Sequence, residues 1–278
     1  MKRLTRAAII VAVVVVILIM PPMRMFESMM VMSIYSAIND SKSLLKDENI
    51  TIHMPGGWAT KAADWYPLVM TFHADDGFSN FIGKPNTRLT IMYNFPTFSP
   101  LNGCSNLFDE NSPYYSSFYG AYTVKNDDGS AYGFVKEDGQ LKLDLDSTAL
   151  VPKYDFQRLV LSDFGLDDEK AVFEWEVTEA QDDVNYAGMQ GFSRADATLK
   201  VNGCAHNAQR FVQSYLQYGV PSFQTDEPLS PVSMYGRVYG KYFEEKGVSI
   251  FFYIITADKA VLEDCDEEIL SKSTITFH

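Results

Sequence analysis

Seventeen uncharged residues, AAIIVAVVVVILIMPPM, separate Arg6 from Arg24. A run of this kind has to be buried, removed or placed in lipid, and it limits every later choice about the chain. As a helix it would be about 25 Å long, at the lower limit for crossing the hydrocarbon core of a bilayer. Lys2, Arg3 and Arg6 precede it and favour a cytoplasmic amino end, with the rest of the chain outside. A secretory signal would share the basic start and the apolar core, but small residues spaced A-x-A would follow closely. Here PPMRMFESMMVMSIYSA follows, with bulky Met and Phe in those positions, and Val31 with Ser33 is the first passable pair. The sequence therefore predicts a signal anchor or transmembrane segment over 1–22, single-pass in the cell membrane. Secretion after signal cleavage is the alternative. No lipobox cysteine adjoins the run.

Phe26, Met30, Ile34, Ala37, Ile38, Leu44 and Leu45 recur at three- and four-residue spacing, which predicts an amphipathic juxtamembrane helix over 23–46. Pro21-Pro22 suits a kink or a new helix start. Seven of the 12 methionines fall in the first 32 residues, and flexible thioethers pack well on lipid or on a partner helix. The same stripe could equally pack on the chain's own domain.

From Asp47 the pattern changes to short alternating strands punctuated by turns. NITIHMPGGW, PLVMTFHA and TRLTIMYNF read as strands, and SAYGFV with QLKLDLD as a hairpin between NDDG and EDG turns. FQRLVLSDF and KAVFEWEVTEA also read as strands, and DATLKVNGCAHNAQRFVQSYL as a strand, a turn and a strand. MYGRVYGKYFEEKGVSIFFYIITA reads as a long hairpin whose second arm is apolar enough to be central and covered on both faces. Asp258 is a good N-cap for a helix through DKAVLEDCDEEILSK, and STITF closes the chain. The predicted class is α+β: a central antiparallel sheet flanked by helices, forming one extracytoplasmic domain over 47–278.

The net charge is −13, and since Lys2, Arg3, Arg6 and Arg24 contribute +4, the remainder carries −17. With no cluster of Lys and Arg to neutralise phosphates, nucleic acid is excluded as a partner. Three cysteines are too few for a disulfide framework, but Cys104 and Cys204 each follow Asn-Gly and form a candidate disulfide.

A first strand ending in ITIHMPGGW, the late strands RVYGKYF and GVSIFFYIITA, and the ending DEEILSKSTITF resemble the PsbP-like family. This family includes photosystem extrinsic subunits, a Ran-binding import factor and exported or anchored bacterial proteins of unknown role. The resemblance covers the start of the domain and its last eighty or so residues, and leaves the middle, from Thr97 to about Asp155, unmatched. It implies a sheet between helices and a scaffold for binding proteins, with no catalytic residues to carry over.

Few residues suggest chemistry. Cys204 and His206 would share a strand face, as a thiol and an imidazole must to exchange a proton, but no third group orients them. Asp144 and Asp146 would share a face of LKLDLDS without the rest of a calcium loop. GxSxG, HExxH, GxGxxG and P-loop motifs are absent, and DFG at 163–165 lacks HRD. No catalytic, cofactor-binding or metal-binding residue is assigned. Tyr114, Tyr115, Phe118 and Tyr119 in SPYYSSFYG are the candidate interface residues, because tyrosines among Ser and Gly give rigid contact area with a polar end. The functional expectation is a membrane-anchored, non-enzymatic domain that binds an envelope protein or ligand. The alternative is an exported hydrolase or redox protein using Cys204 and His206.

Overall fold

The computed structural model describes residues 2–18, 21–59, 64–99, 103–161, 171–204 and 230–278. It opens with two helices, α1 (Lys2–Leu18) and α2 (Pro21–Asp40), then the short α3 (Leu44–Asp47) and β1 (Ile50–His53). Next come β2 (Met70–His73), α4 (Asp75–Ile82), β3 (Thr87–Asn94) and β4 (Phe118–Asn126). The strands β5 (Phe134–Glu137) and β6 (Gln140–Leu143) lead into α5 (Leu145–Tyr154), which runs on as a π-helical segment, Asp155–Leu161. The last elements are β7 (Phe173–Tyr186), β8 (Met189–Asn202), β9 (Pro231–Phe243), β10 (Val248–Thr256), α6 (Lys259–Glu268) and β11 (Thr274–Phe277).

Seven strands form one antiparallel sheet in the order β2-β3-β4-β10-β9-β8-β7, while β1 pairs with β11 and β5 with β6. The class is α+β with a central antiparallel sheet. Every residue of β10 is buried, as expected for its unbroken apolar run. Ile250, Phe252 and Ile254 face one layer, made by α3, β1, β11 and α6 through Leu44, Ile52, Ile275 and Leu262. Phe251, Tyr253 and Ile255 face the other, where Phe78 of α4 and Val151 of α5 close the core. Gly133 marks how tightly that second layer is packed: its φ is +73°, and a Cβ built there would lie 2.6 Å from the Phe251 ring.

Turn chemistry explains the hairpins. Asp138 and Gly139 both have positive φ, as do Ala187 and Gly188, so a two-residue turn of primed type joins β5 to β6 and another joins β7 to β8. Asp258 caps α6 by accepting from the Ala260 amide at 2.7 Å. Two expectations need correction. Asp144 and Asp146 do not share a strand face: Asp144 accepts from the Ser147 amide as the N-cap of α5, and Asp146 lies in the first turn. Of FQRLVLSDF, expected as a strand, Phe156 to Leu161 lie in the π-helical continuation of α5, where the chain still carries helical hydrogen bonding past Pro152, and the last three residues lie outside the described residues.

The amino-terminal helices also differ from expectation. Among the described residues no helix is long and apolar enough to cross a membrane, because α1 spans 17 residues and includes Lys2, Arg3 and Arg6. The expected transmembrane helix is therefore not supported as a single spanning element. The helix expected over 23–46 ends at Asp40, and Ser43 caps α3, which carries Leu44 and Leu45 into the main core. Between those points α2 lies along β2, the edge strand of the sheet. The Thr71 amide donates to Ser36 Oγ at 2.8 Å, and His73 Nδ1 lies 3.0 Å from Asn39 Oδ1. Ser28 bonds Tyr66 at 2.8 Å, and Met32 is buried among Tyr66, Met70 and Phe95. The helix thus satisfies donors on a sheet edge that would otherwise invite another strand.

Candidate functional site

The structure sends the candidate interface residues inward. Tyr119 is fully buried, its ring meeting Trp65 edge-on at 4.9 Å and its hydroxyl donating to Pro55 O at 2.7 Å. Phe118 packs on Phe156 and Tyr253 on the opposite face of the sheet. Tyr115 donates to Cys204 O at 3.2 Å, and Tyr114 keeps partial exposure while donating to Asp64 at 3.1 Å. Alternation along β4 and the need to fill two thick layers account for this placement. Three of these four side chains are therefore used in the core rather than presented to a partner.

Cys104, Cys204 and Cys265 are buried thiols. Cys104 and Cys204 lie near a common cluster: Cys204 packs with Phe98, Leu107 and Phe108, and Cys104 adjoins the Phe98–Ser105 bridge. The Cys204 amide donates to Ser116 Oγ at 3.0 Å. Burial pushes both thiols up to about 12, Cys104 also through the charge of Asp109. A nucleophilic cysteine needs the opposite shift. His206, the other half of the proposed pair, lies outside the described residues.

A charged site that the strand pattern did not suggest lies between the sheet and α6. Arg237 on β9 donates through Nε to Asp196 of β8 at 2.6 Å, and through Nη1 to Glu263 at 2.7 Å and to Asp266 at 2.8 Å. Its Nη2 donates to Glu263 at 3.0 Å, and Arg194 pairs with Asp196 from the same side. Tyr186 and Tyr239, stacked with centroids 3.5 Å apart, donate to the two oxygens of Asp266 at 2.6 and 2.7 Å. Burial alone would lower the Arg237 pKa, but its hydrogen bonds to Glu263, Asp196 and Asp266 hold it above its ordinary value. Asp196, which burial would raise, is held low by Arg194 and Arg237. Two guanidiniums hold three carboxylates, and the bonds from Arg237 to Glu263 and Asp266 fasten α6 to the sheet. The alternation of YGRVYG puts Arg237 on the same strand face as Tyr239, but nothing local in the sequence shows that Asp196 and the acidic helix α6 lie opposite it.

Beside this cluster two clefts, of about 370 and 400 Å³, adjoin across Thr198 and Tyr235. The first is lined by Arg194, Arg237, Lys259 and Glu263, and the second by Glu174, Trp175, Lys200 and Ser233. Together they form a groove of mixed charge over β7, β8 and β9, bounded at one end by Lys259, Leu262 and Glu263 of α6.

The other exposed feature is apolar. On α1, Ile9, Ile10, Val11 and Val13 to Val16 are all exposed, so no face of that stretch is covered by the domain. On α2, Phe26, Met30, Ile34 and Ile38 are exposed on the side away from β2, and Trp58 is exposed beside Phe26, with ring centroids 6.4 Å apart.

The fold and its surfaces define an α+β domain carrying two amino-terminal helices with uncovered apolar surface. No protein-family model, curated protein or solved structure matches the chain.

Proposed function

We propose that this chain is a membrane-attached protein whose α+β domain lies outside the cytoplasm and binds an envelope protein or ligand, without catalysing a reaction. The observation that carries this reading is the surface of α1, where consecutive Ile and Val residues are exposed on all sides. A helix apolar all round is stable when something apolar surrounds it, and the chain's own domain does not. In the sequence the uncharged stretch continues past α1 to Met23, which supplies added apolar length. The buried, high-pKa Cys204 supports a non-enzymatic role, and so does Arg237, which is paired with three carboxylates. The groove beside Tyr235 is the surface that fits a polar or mixed-charge protein segment.

Expression of the full chain, followed by carbonate extraction of membranes and mass measurement of the mature product, tests the attachment. The expected result is an intact amino terminus in the extracted membrane pellet. A soluble product beginning near Ile34 would overturn it.

A further inference from the structure

We infer that the outer face of α2, with Trp58, lies in the interfacial zone of the bilayer, so that the domain rests on the membrane along its β2 edge. This inference builds on the membrane attachment proposed above and adds an orientation and a lipid-contacting surface to it.

Four observations converge on lipid as the occupant. First, the exposed side chains Phe26, Met30, Ile34 and Ile38 follow each other at four-residue intervals and so form one narrow stripe. The opposite side of the same helix is occupied by the domain through Ser28, Met32, Ser36 and Asn39. An upright stalk has no use for such a one-sided stripe, whereas a helix lying in the plane of a membrane requires it. Second, α2 carries no charged residue from Ser28 to Asn39, so nothing at Met30, Ile34 or Ile38 resists contact with acyl chains, and Arg24 and Glu27, on either side of Phe26, pair with each other at 3.6 Å. Third, the patch widens at the end of α2 nearest α1. There Trp58, from a separate loop, is 58% exposed against Phe26. An exposed indole beside an apolar helix is the residue type that concentrates at membrane interfaces. Fourth, only two residues separate α1 from α2, and Phe26 is about 8 Å along the helix from Pro21. Lipid surrounding α1 therefore reaches Phe26 and Trp58. A second copy of the chain would have to displace that lipid to cover the same surface.

Quenching of tryptophan fluorescence by phosphatidylcholine vesicles brominated near the head of the acyl chain provides the test, with the full chain reconstituted. The chain has 3 tryptophans, and of the other two Trp65 is buried and Trp175 half-buried on the sheet. The expected result is that brominated vesicles quench the Trp58 contribution, the emission lost in Trp58→Phe, at least twofold relative to unbrominated vesicles. Ile34→Trp in the Trp58→Phe background should restore the quenching, because that position lies along the same exposed stripe. Two outcomes overturn the inference while leaving the attachment intact: vesicle flotation with no quenching at either position, or efficient disulfide cross-linking of Met30→Cys between two copies with Trp58 unquenched. Failure of the wild-type chain to float with vesicles would overturn both readings.

Discussion

Arg237 is a single charged residue on an inward strand face, and its surroundings set what its removal would do. Arg237→Met would leave Asp196 and the buried Asp266 without their shared cation, and the expected loss is about 3–5 kcal/mol of unfolding free energy. Arg194→Met removes a more exposed partner of one acid and should cost about 1 kcal/mol. Urea unfolding of both variants checks this, and equal losses would mean that the cluster does not centre on Arg237. Asp155 gives a second residue-level expectation. Burial raises its carboxyl from 3.8 to about 7, against the opposing hydrogen bond from Tyr253 at 3.2 Å. A raised folded pKa means that its contribution is complete below pH about 4 and is lost as the pH climbs through 7. Asp155→Asn should therefore be favoured over the wild type increasingly from about pH 4 to pH 7, with a slope of up to about 1.4 kcal/mol per pH unit, and the difference should level off above pH 7. Parallel stability profiles for the two proteins would count against a buried neutral carboxyl. Tyr154 and Arg158, the neighbouring titratable groups, are present in both. Neither residue was legible in the sequence. Asp155 lies just before what read as a strand starting at Phe156, and Arg237 becomes notable only when Asp196 and α6 are brought opposite it by long-range pairing.

At the scale of elements, α2 has two roles on its two sides. Its inner side closes the β2 edge by accepting from the Thr71 amide and by placing Asn39 against His73. Ser36→Ala and Asn39→Ala should each cost about 1 kcal/mol, and the double variant should associate more readily as its edge donors open. Thermal unfolding and light scattering would read the two effects. No rise in association would show that the bulk of α2, rather than its side-chain bonds, protects the edge. The helical spacing of Phe26, Met30, Ile34 and Ile38 was legible, as were the β9–β10 hairpin around EEKG and the Asp258 cap, because each is written in local periodicity or turn chemistry. The division of α2 into a domain side and an exposed side was not. It depends on polar residues, Ser28, Ser36 and Asn39, finding partners more than thirty residues away, at Tyr66 before β2 and at Thr71 and His73 on it. SPYYSSFYG misled for the same reason: tyrosines look alike in sequence whether they meet solvent or, like Tyr119, fill a core against Trp65.

At the scale of the whole molecule, the charge is divided as the proposed attachment requires. Lys2, Arg3 and Arg6 lie at one end, while the chain beyond Arg24 carries the acidic excess. Positive residues flanking an apolar segment are retained on the cytoplasmic side, so α1 should leave its amino end there and the sheet outside. The domain offers little to reverse that choice, since its many acids weigh far less in orientation than Lys and Arg near the segment. In inverted membrane vesicles from cells expressing the full chain, added protease should therefore leave the domain intact until detergent is supplied. Antibody to the carboxyl terminus, where β11 pairs with β1, would read the protected fragment. Moving the positive charge should move the domain: with Lys2, Arg3 and Arg6 changed to Glu and basic residues inserted after Met23, protection should be lost. If the domain of the unaltered chain is digested without detergent while a control lumenal protein survives, the orientation is the reverse of the one proposed. The surface of α2 and Trp58 would then face the cytoplasmic leaflet.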